Sequence, residues 1–340
     1  MCSSTFFLIK RKFQGVLVAS DFDYKVYNNS PATHWMMGLF SSHATGRELR
    51  LASKNVTLGE RASKMNYTTY SYKSEDCMSE LIIQEINKKL PANSQLAMIY
   101  VLITGNQQNW KKNKASFMIE DFIKFKGEEV TKVTREVARR QLEQIMKRLL
   151  DCKIEVKYTK RSKKCAMINL LAGYTYDNGF CTVEFPNSVI EALNIYPQLF
   201  PNWGGQLSNQ KAFAMTIYIY YRIKQARQYN GTINVNVKDL LSYAGIPYEK
   251  DHVKNRRYKQ LMIQPFLKAI EEIHLLSDET LKIEVQSYSG IDEFLSSHVV
   301  IHYDNKVAEY YKSKSKKTGG KLSEPKSSKP SQRVSKRAAR

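Results

Sequence analysis

Two stretches of this chain carry residues able to read a polyanion. In "TREVARRQLEQIMKRLL" the side chains Arg135, Arg139, Arg140, Gln144 and Lys147 recur at helical spacing, and "YTKRSKKC" adds Lys160, Arg161, Lys163 and Lys164. In "KDHVKNRRYKQLMIQPFLKAIEEI" a second set appears: Lys254, Arg256, Arg257, Lys259, Gln260, Gln264 and Lys268. An arginine offers a planar fork that matches guanine O6 and N7, and a glutamine amide matches adenine N6 and N7. Lysines act as point charges for backbone phosphate. These residue types suit recognition and steering rather than bond cleavage.

Each set needs an element to hold it. From Arg135 to about Leu150, Ala138, Leu142, Ile145 and Leu149 recur at i, i+4, i+7 and i+11, which predicts a helix with one buried stripe. Glu136, Arg140, Gln144 and Lys147 take the opposite face, flanked by Arg135, Arg139 and Arg148. The period then switches to two: Ile154, Val156 and Tyr158 alternate with Lys153, Glu155 and Lys157, a strand that "TKRSKK" turns into a hairpin with a cationic tip. "DNG" at 177–179 predicts a further hairpin turn. Upstream, "SELIIQEINKKL" reads as a helix through Leu81, Ile82 and Ile86, and "SFMIEDFIKFKG" as one capped by Ser116 and stopped by Gly127. A capping-box pattern stands at Ser188–Glu191.

The same order returns downstream. "NQKAFAMTIYIYYRIKQARQ" predicts a helix burying Phe213, Ile217, Tyr220 and Ile223, "TINV" a short strand, and "NVKDLLSYAG" a helix ended at Gly245. "LMIQPFLKAIEEIHLL" buries Met262, Phe266, Ile270 and Ile273 and exposes Gln260, Gln264 and Lys268. Pro265 marks a helix start or a kink there, since it lacks the N–H a regular helix needs. "LKIEVQSYS" and "SSHVVIHYD" read as paired strands.

Helix, helix, helix and hairpin, twice over, with a basic third helix, is the order of a winged-helix module. The expected fold is therefore α+β: two tandem winged-helix domains, mainly helical with small antiparallel wing sheets. Residues 1–78 form an N-terminal extension without an assigned role, 79–195 the first domain, 196–205 a linker, 206–311 the second domain and 312–340 a disordered basic tail. A B-DNA major groove, about 12 Å wide, admits one such helix while the hairpin reaches neighbouring phosphates. A single charged helix face is usually only a solvated one; two in matching positions point to double-stranded DNA.

Bulk properties agree. Fifty-three basic residues against thirty-two acidic ones give a net charge of +21 over 340 residues, which favours a polyanionic partner. Residues 312–340 hold eleven Lys or Arg against Glu324 alone, with too little apolar surface to offset the entropy of ordering them. Five widely spaced cysteines without a CxxC pair fit neither a disulfide framework nor a zinc module, and they predict a cytoplasmic protein. No apolar run approaches the roughly 20 residues of a membrane span, so no membrane partner is expected.

The stretch "NRRYKQLMIQPFLKAIEEIHLLSDETLKIEVQ", with Pro265, Ala269, Glu272 and Ile273, resembles a characteristic segment of the iteron-type plasmid replication initiators, the Rep proteins. "NQKAFAMTIYIYYRIKQARQ" and "VNVKDLLSYAGIP" are similar to the opening helices of such a domain, and the resemblance covers about residues 80–305. His274 stands where the family often carries Asn. The resemblance implies an initiator that binds repeated origin sites, promotes local melting and recruits host helicase or other replication proteins, with a homodimer repressing its own gene.

Catalytic readings fail on spacing. His298 and His302, four apart on a strand, sit about 13 Å apart and cannot share one ion. "TGGK" at 318–321 lacks the remaining glycine, the following Ser or Thr and the flanking strand and helix of a phosphate loop. Tyr310-Tyr311 reads as a packing and capping pair. The expectation is a non-enzymatic protein without cofactor or metal. A transcription regulator on the same scaffold, or a nuclease or relaxase, is the alternative.

Overall fold

A computed structural model describes residues 23–28, 68–73, 77–83, 93–150, 152–158, 165–187, 189–190, 197–226, 228–246, 248 and 258–318. In chain order the elements are β1 (Tyr24–Asn28), β2 (Thr68–Lys73), β3 (Cys77–Ile83), α1 (Ser94–Gln107), β4 (Lys114–Met118), α2 (Ile119–Phe125), α3 (Lys132–Leu150), β5 (Cys152–Tyr158) and β6 (Cys165–Asn169). They continue with β7 (Gly173–Asp177), β8 (Phe180–Glu184), β9 (Pro197–Pro201), α4 (Gln210–Lys224), β10 (Thr232–Asn236) and α5 (Val237–Tyr243). A π-helical turn (Lys259–Ile263) then runs into α6 (Gln264–Ser277), followed by β11 (Leu281–Val285), α7 (Ile291–Ser296), β12 (His298–Tyr303) and α8 (Asn305–Thr318).

One topology occurs twice. In the first unit α1, β4, α2 and α3 precede β7 and β8, and the sheet order is β4-β8-β7. In the second, α4, β10, α5 and α6 precede β11 and β12, and the sheet order is β10-β12-β11. All pairings are antiparallel. In each unit the last strand enters between the other two, and the third helix lies in the chain between the first strand of the sheet and the two that complete it.

The predicted stripes hold. Ala138, Leu142, Ile145 and Leu149 are buried on α3, Phe213, Ile217, Tyr220 and Ile223 on α4, and Met262, Phe266, Ile270 and Ile273 on the α6 segment. At "DNG", Asn178 and Gly179 both take positive φ, 47° and 85°, the conformation a two-residue turn of right-twisted strands requires.

Other expectations give way to tertiary pairing. "SELIIQEINKKL" is not helical through Leu81 and Ile82; both lie in β3, which hydrogen-bonds β2 on one side and β5 on the other. Ser116 caps no helix. It lies mid-β4, its hydroxyl 3.0 Å from that of Thr182, and α2 starts after Met118 without a side-chain cap. The expected wing also moves: the β5–β6 hairpin joins β3 in a four-stranded sheet ordered β2-β3-β5-β6, while the hairpin inside the first unit's own sheet is β7–β8. Where composition predicts a structureless tail from 312, α8 continues to Thr318, anchored by buried Val307, Ala308 and Tyr311. Ser188 and Glu191, the two ends of the capping-box pattern, lie outside the described residues.

An antiparallel ribbon of β1 and β9 joins the units. Asn106 Nδ2 of α1 donates to Val26 O at 3.0 Å, whereas Leu199 N donates to Tyr311 Oη of α8 at 3.0 Å. Phe125 of α2, Phe200 of β9 and Phe213 of α4 pack in series as tilted ring pairs, at 6.2 and 5.6 Å between centroids. The 3-10 turn Asn202–Gln206 explains the paired glycines of "NWGGQ": a Cβ on Gly205 would meet Phe125 O at 2.2 Å, and one on Gly204 the Phe200 ring at 2.6 Å. No helix among the described residues is long and apolar enough to cross a membrane.

Candidate nucleic-acid interface

Helix α3 starts at a reciprocal threonine cap. Thr134 N donates to Thr131 Oγ1 at 3.1 Å and Thr131 N to Thr134 Oγ1 at 2.8 Å, which satisfies two backbone donors and holds the first turn. The sequence signal is "TKVT", a Thr-for-Glu variant of the capping box that the acidic pattern does not find. From α2, Glu120 reaches across to Arg135 at 3.0 Å and links the two helices.

At about 100° per residue, Val133, Val137, Arg140, Gln144 and Lys147 fall within an arc of about 80°, opposite the buried stripe. All five are exposed. Val133 is 72% exposed and Val137 46%; neither is among the residues predicted to face the groove. Arg135 and Arg139 lie off this arc. Arg135 is held by Glu120, and Arg139 lies with its guanidinium 6.0 Å over the ring of Tyr176 on β7.

The cations are not alone on the helix. Glu136 accepts from Arg139 at 2.8 and 3.0 Å and from Arg140 at 2.7 Å. Those bonds, Arg139 first, hold its carboxyl down at about 2. Glu143 takes Lys147 at 2.7 Å and Arg139 at 3.2 Å, and the hydrogen bond to Lys147 is the main reason its carboxyl is also lowered. Both acids sit on the flank facing β7. The outward arc therefore carries two cations and an amide, with Glu136 at its edge, about 20° beyond Lys147, and Glu143 a little further round. Exposed pairs of this kind are worth little and exchange readily, so a phosphate or base edge can displace the carboxylates.

The β7–β8 hairpin beside α3 turns at Asp177-Asn178-Gly179 and shows exposed Tyr176 and Phe180, with no cation. Lys160, Arg161, Lys163 and Lys164 lie outside the described residues, as do Lys254, Arg256 and Arg257.

In the second unit Lys259, Gln260, Gln264 and Lys268 are exposed along the π turn and α6. Among the described residues none of the four side chains has an ion-pair or hydrogen-bond partner. Gln264 N donates to Lys259 O, five residues back. That wide turn lies just ahead of Pro265, whose ring would crowd, and whose missing N–H would orphan, the carbonyl one α-turn back. Pro265 is thus at the start of α6, and the preceding segment continues the same axis as a π turn. The other residues of that motif are structural: Ala269 and Ile273 are buried, and Glu272 accepts from Ser208 N at 2.7 Å, Ser208 Oγ at 2.8 Å and Asn209 N at 3.2 Å, fastening the start of α4. His274 Nε2 accepts from Ile283 N at 2.8 Å and ties α6 to β11; burial, then Lys282, lowers its pKa.

His298 and His302 are exposed on β12. His302 lies 3.5 Å from Glu284, and no group of three or more His, Cys, Asp or Glu side chains is arranged to hold a metal among the described residues. Tyr311 is buried, 5.5 Å from the stacked ring of Tyr229, a packing role as predicted.

No family model matches the chain, and no curated protein sequence matches it. Among solved structures it is similar to the crystal structure of RctB domains 2-3, with a TM-score of 0.46 and 12% identity over 72% of this chain and 94% of that one. It is also similar to a selenomethionine derivative of domains 2 and 3 of RctB, with a TM-score of 0.44 and 12% identity over 69% of this chain and 90% of that one. Both scores lie below 0.5, and the fold of this chain rests on its own geometry.

Proposed function

We propose that the chain is a non-enzymatic, sequence-specific binder of double-stranded DNA, built from two winged-helix modules, that acts in the cytoplasm as a replication initiator of a plasmid or mobile element. One observation carries the binding half: the repeated topology presents each time a third helix with cations and amides on its outward side, Arg140, Gln144 and Lys147 on α3 next to the paired Glu136, and Gln260, Gln264 and Lys268 on the α6 segment next to Glu271 and Leu275. A helix so presented fits the major groove, and the net charge of +21 supplies the attraction to phosphate. Arg140, Gln144 and Lys147 in the first module, and Lys259, Gln260, Gln264 and Lys268 in the second, are the residues assigned to DNA; Lys160, Arg161, Lys163 and Lys164 and the basic segment with Lys254, Arg256 and Arg257 reach backbone phosphate. The initiator half is supported by the resemblance of residues 80–305 to the Rep proteins. Origin repeats are then the target, with host helicase or other replication proteins recruited to DNA that the bound protein, as monomer or homodimer, has helped to open.

The test is a DNase footprint on the DNA flanking this protein's own reading frame, at about 0.15 M salt so that non-specific phosphate binding is damped. Evenly spaced protected direct repeats are expected. A single protected palindrome would make the protein a regulator, and nicking of supercoiled DNA with magnesium or manganese would make it a nuclease.

A further inference from the structure

Val133 and Val137 stand one turn apart on the outward arc of α3 and have no packing role: 72% and 46% of their surfaces are exposed. A scattered exposed valine is ordinary. Here, however, two β-branched residues with low helix propensity occupy the first turns of a helix whose other outward residues are all polar. The restriction on χ1 in a helix holds their methyl groups in one orientation. The reciprocal bonds of Thr131 and Thr134, at 2.8 and 3.1 Å, keep the turn beneath them from fraying. Of the two acids ahead of the helix, Glu128 is paired with Lys126 at 2.7 Å, and Glu129 is exposed, its backbone carbonyl accepting from Thr134 Oγ1 at 2.7 Å.

We infer, on the basis of the duplex-binding reading, that Val133 and Val137 form an apolar subsite for the C5-methyl groups of thymine, beside the bases read by Arg140 and Gln144. The N-terminal residues of a groove-bound helix are the ones that meet base edges. On the floor of the major groove the thymine methyl is the apolar group, absent from the other three bases. Two valines can neither donate nor accept a hydrogen bond, so their selectivity comes from burying that methyl. Deoxyuridine, identical but for the methyl, isolates it.

The experiment begins by selecting duplexes from a random pool with the full chain at about 0.15 M salt. Each thymine of the selected site is then replaced in turn by deoxyuridine, and binding is measured for wild type and for the V133A/V137A double variant. Alanine raises helix propensity at exposed positions, so the variant keeps α3, which circular dichroism confirms. Wild type should lose about fourfold at one or two thymines, the effect of one buried methyl. The variant should bind thymine and uracil duplexes alike while still preferring the selected site to a scrambled one. Indifference of wild type to uracil at every position, or discrimination that persists in the variant, overturns the subsite and leaves duplex binding standing. Failure of wild type to prefer the selected site over scrambled DNA removes the duplex-binding reading itself.

Discussion

Gln108 and Gln225 hold the same place in the two units, the first residue after α1 and after α4, and they do different things. Gln108 folds onto the outer edge of β4: Ser116 N donates to its Oε1 at 2.9 Å while its Nε2 donates to Ser116 O. The amide stands in for a fourth strand. Gln225 turns away, its Nε2 donating to Tyr221 Oη at 2.7 Å, and the edge of β10 faces an open polar cleft of about 360 Å³ lined by Arg222, Gln225, Asn230, Thr232 and Asn234. The third helices differ in parallel. Helix α3 is laced with carboxylates, whereas the side chains of Lys259, Gln260, Gln264 and Lys268, along a π turn and the start of α6, have no partner among the described residues. Between their last two strands the units carry a two-residue turn in one case and helix α7 in the other. A shared topology fixes where the third helix is presented; it leaves free how each edge and face is finished, and that is where the two units can acquire separate tasks.

The largest expected effect lies at the junction that makes the comparison possible. Gly205→Ala forces a Cβ against Phe125 O and should cost about 3 kcal/mol in denaturant unfolding; a loss below about 1 kcal/mol would mean the units are not locked as described. Next come the two faces. Arg140→Ala and Gln264→Ala should each lose roughly 1 to 3 kcal/mol at one base position, on different halves of the site, with little change on scrambled duplex. Equal losses on specific and scrambled DNA would reduce either residue to a phosphate contact.

Edge closure makes a smaller, paired prediction. Gln108→Ala should destabilise the chain by about 1 kcal/mol, while Gln225→Ala should change thermal stability by under about 0.5 kcal/mol. Similar values for both would erase the difference between the edges. The smallest effect concerns His274. Its bond from Ile283 N needs a neutral ring, and its pKa is lowered in the fold. Its contribution is therefore complete above the free imidazole value near 6.5 and is lost as pH falls through the lowered folded value. His274→Asn, which retains an acceptor and cannot titrate, should flatten that part of the stability–pH curve; an unchanged curve would show that another group titrates there.

What was legible in the sequence was what period and turn chemistry decide locally. The stripes of α3, α4 and α6 each have a single apolar face, and "DNG" admits few backbones besides the turn it forms. What was not legible depended on partners far along the chain. Leu81 and Ile82 suit helix or strand, and pairing with β5, some 70 residues on, settles the matter. Nothing near "TKRSKK" says that its hairpin joins β3 rather than β8. Arg135 looks like a free cation until α2 brings Glu120 beside it. The acids of α3 were visible as letters, but only the packed helix shows them turned to the flank beside β7, with the arc of Val133 and Arg140 left open. Val133 and Val137 belong to no apolar stripe, and their place beside Arg140 shows only once the buried face of α3 is fixed.

The most direct test of the central claim is competition binding of the full chain, at about 0.15 M salt, to a selected duplex against a scrambled duplex of the same composition. Two presented helices predict a preference of at least about a thousandfold, abolished when Arg140→Ala and Gln264→Ala are combined. Equal affinity for the two duplexes, falling with salt alike for both, would contradict it: the basic surface would then be an unspecific one, and the repeated fold would serve some other end.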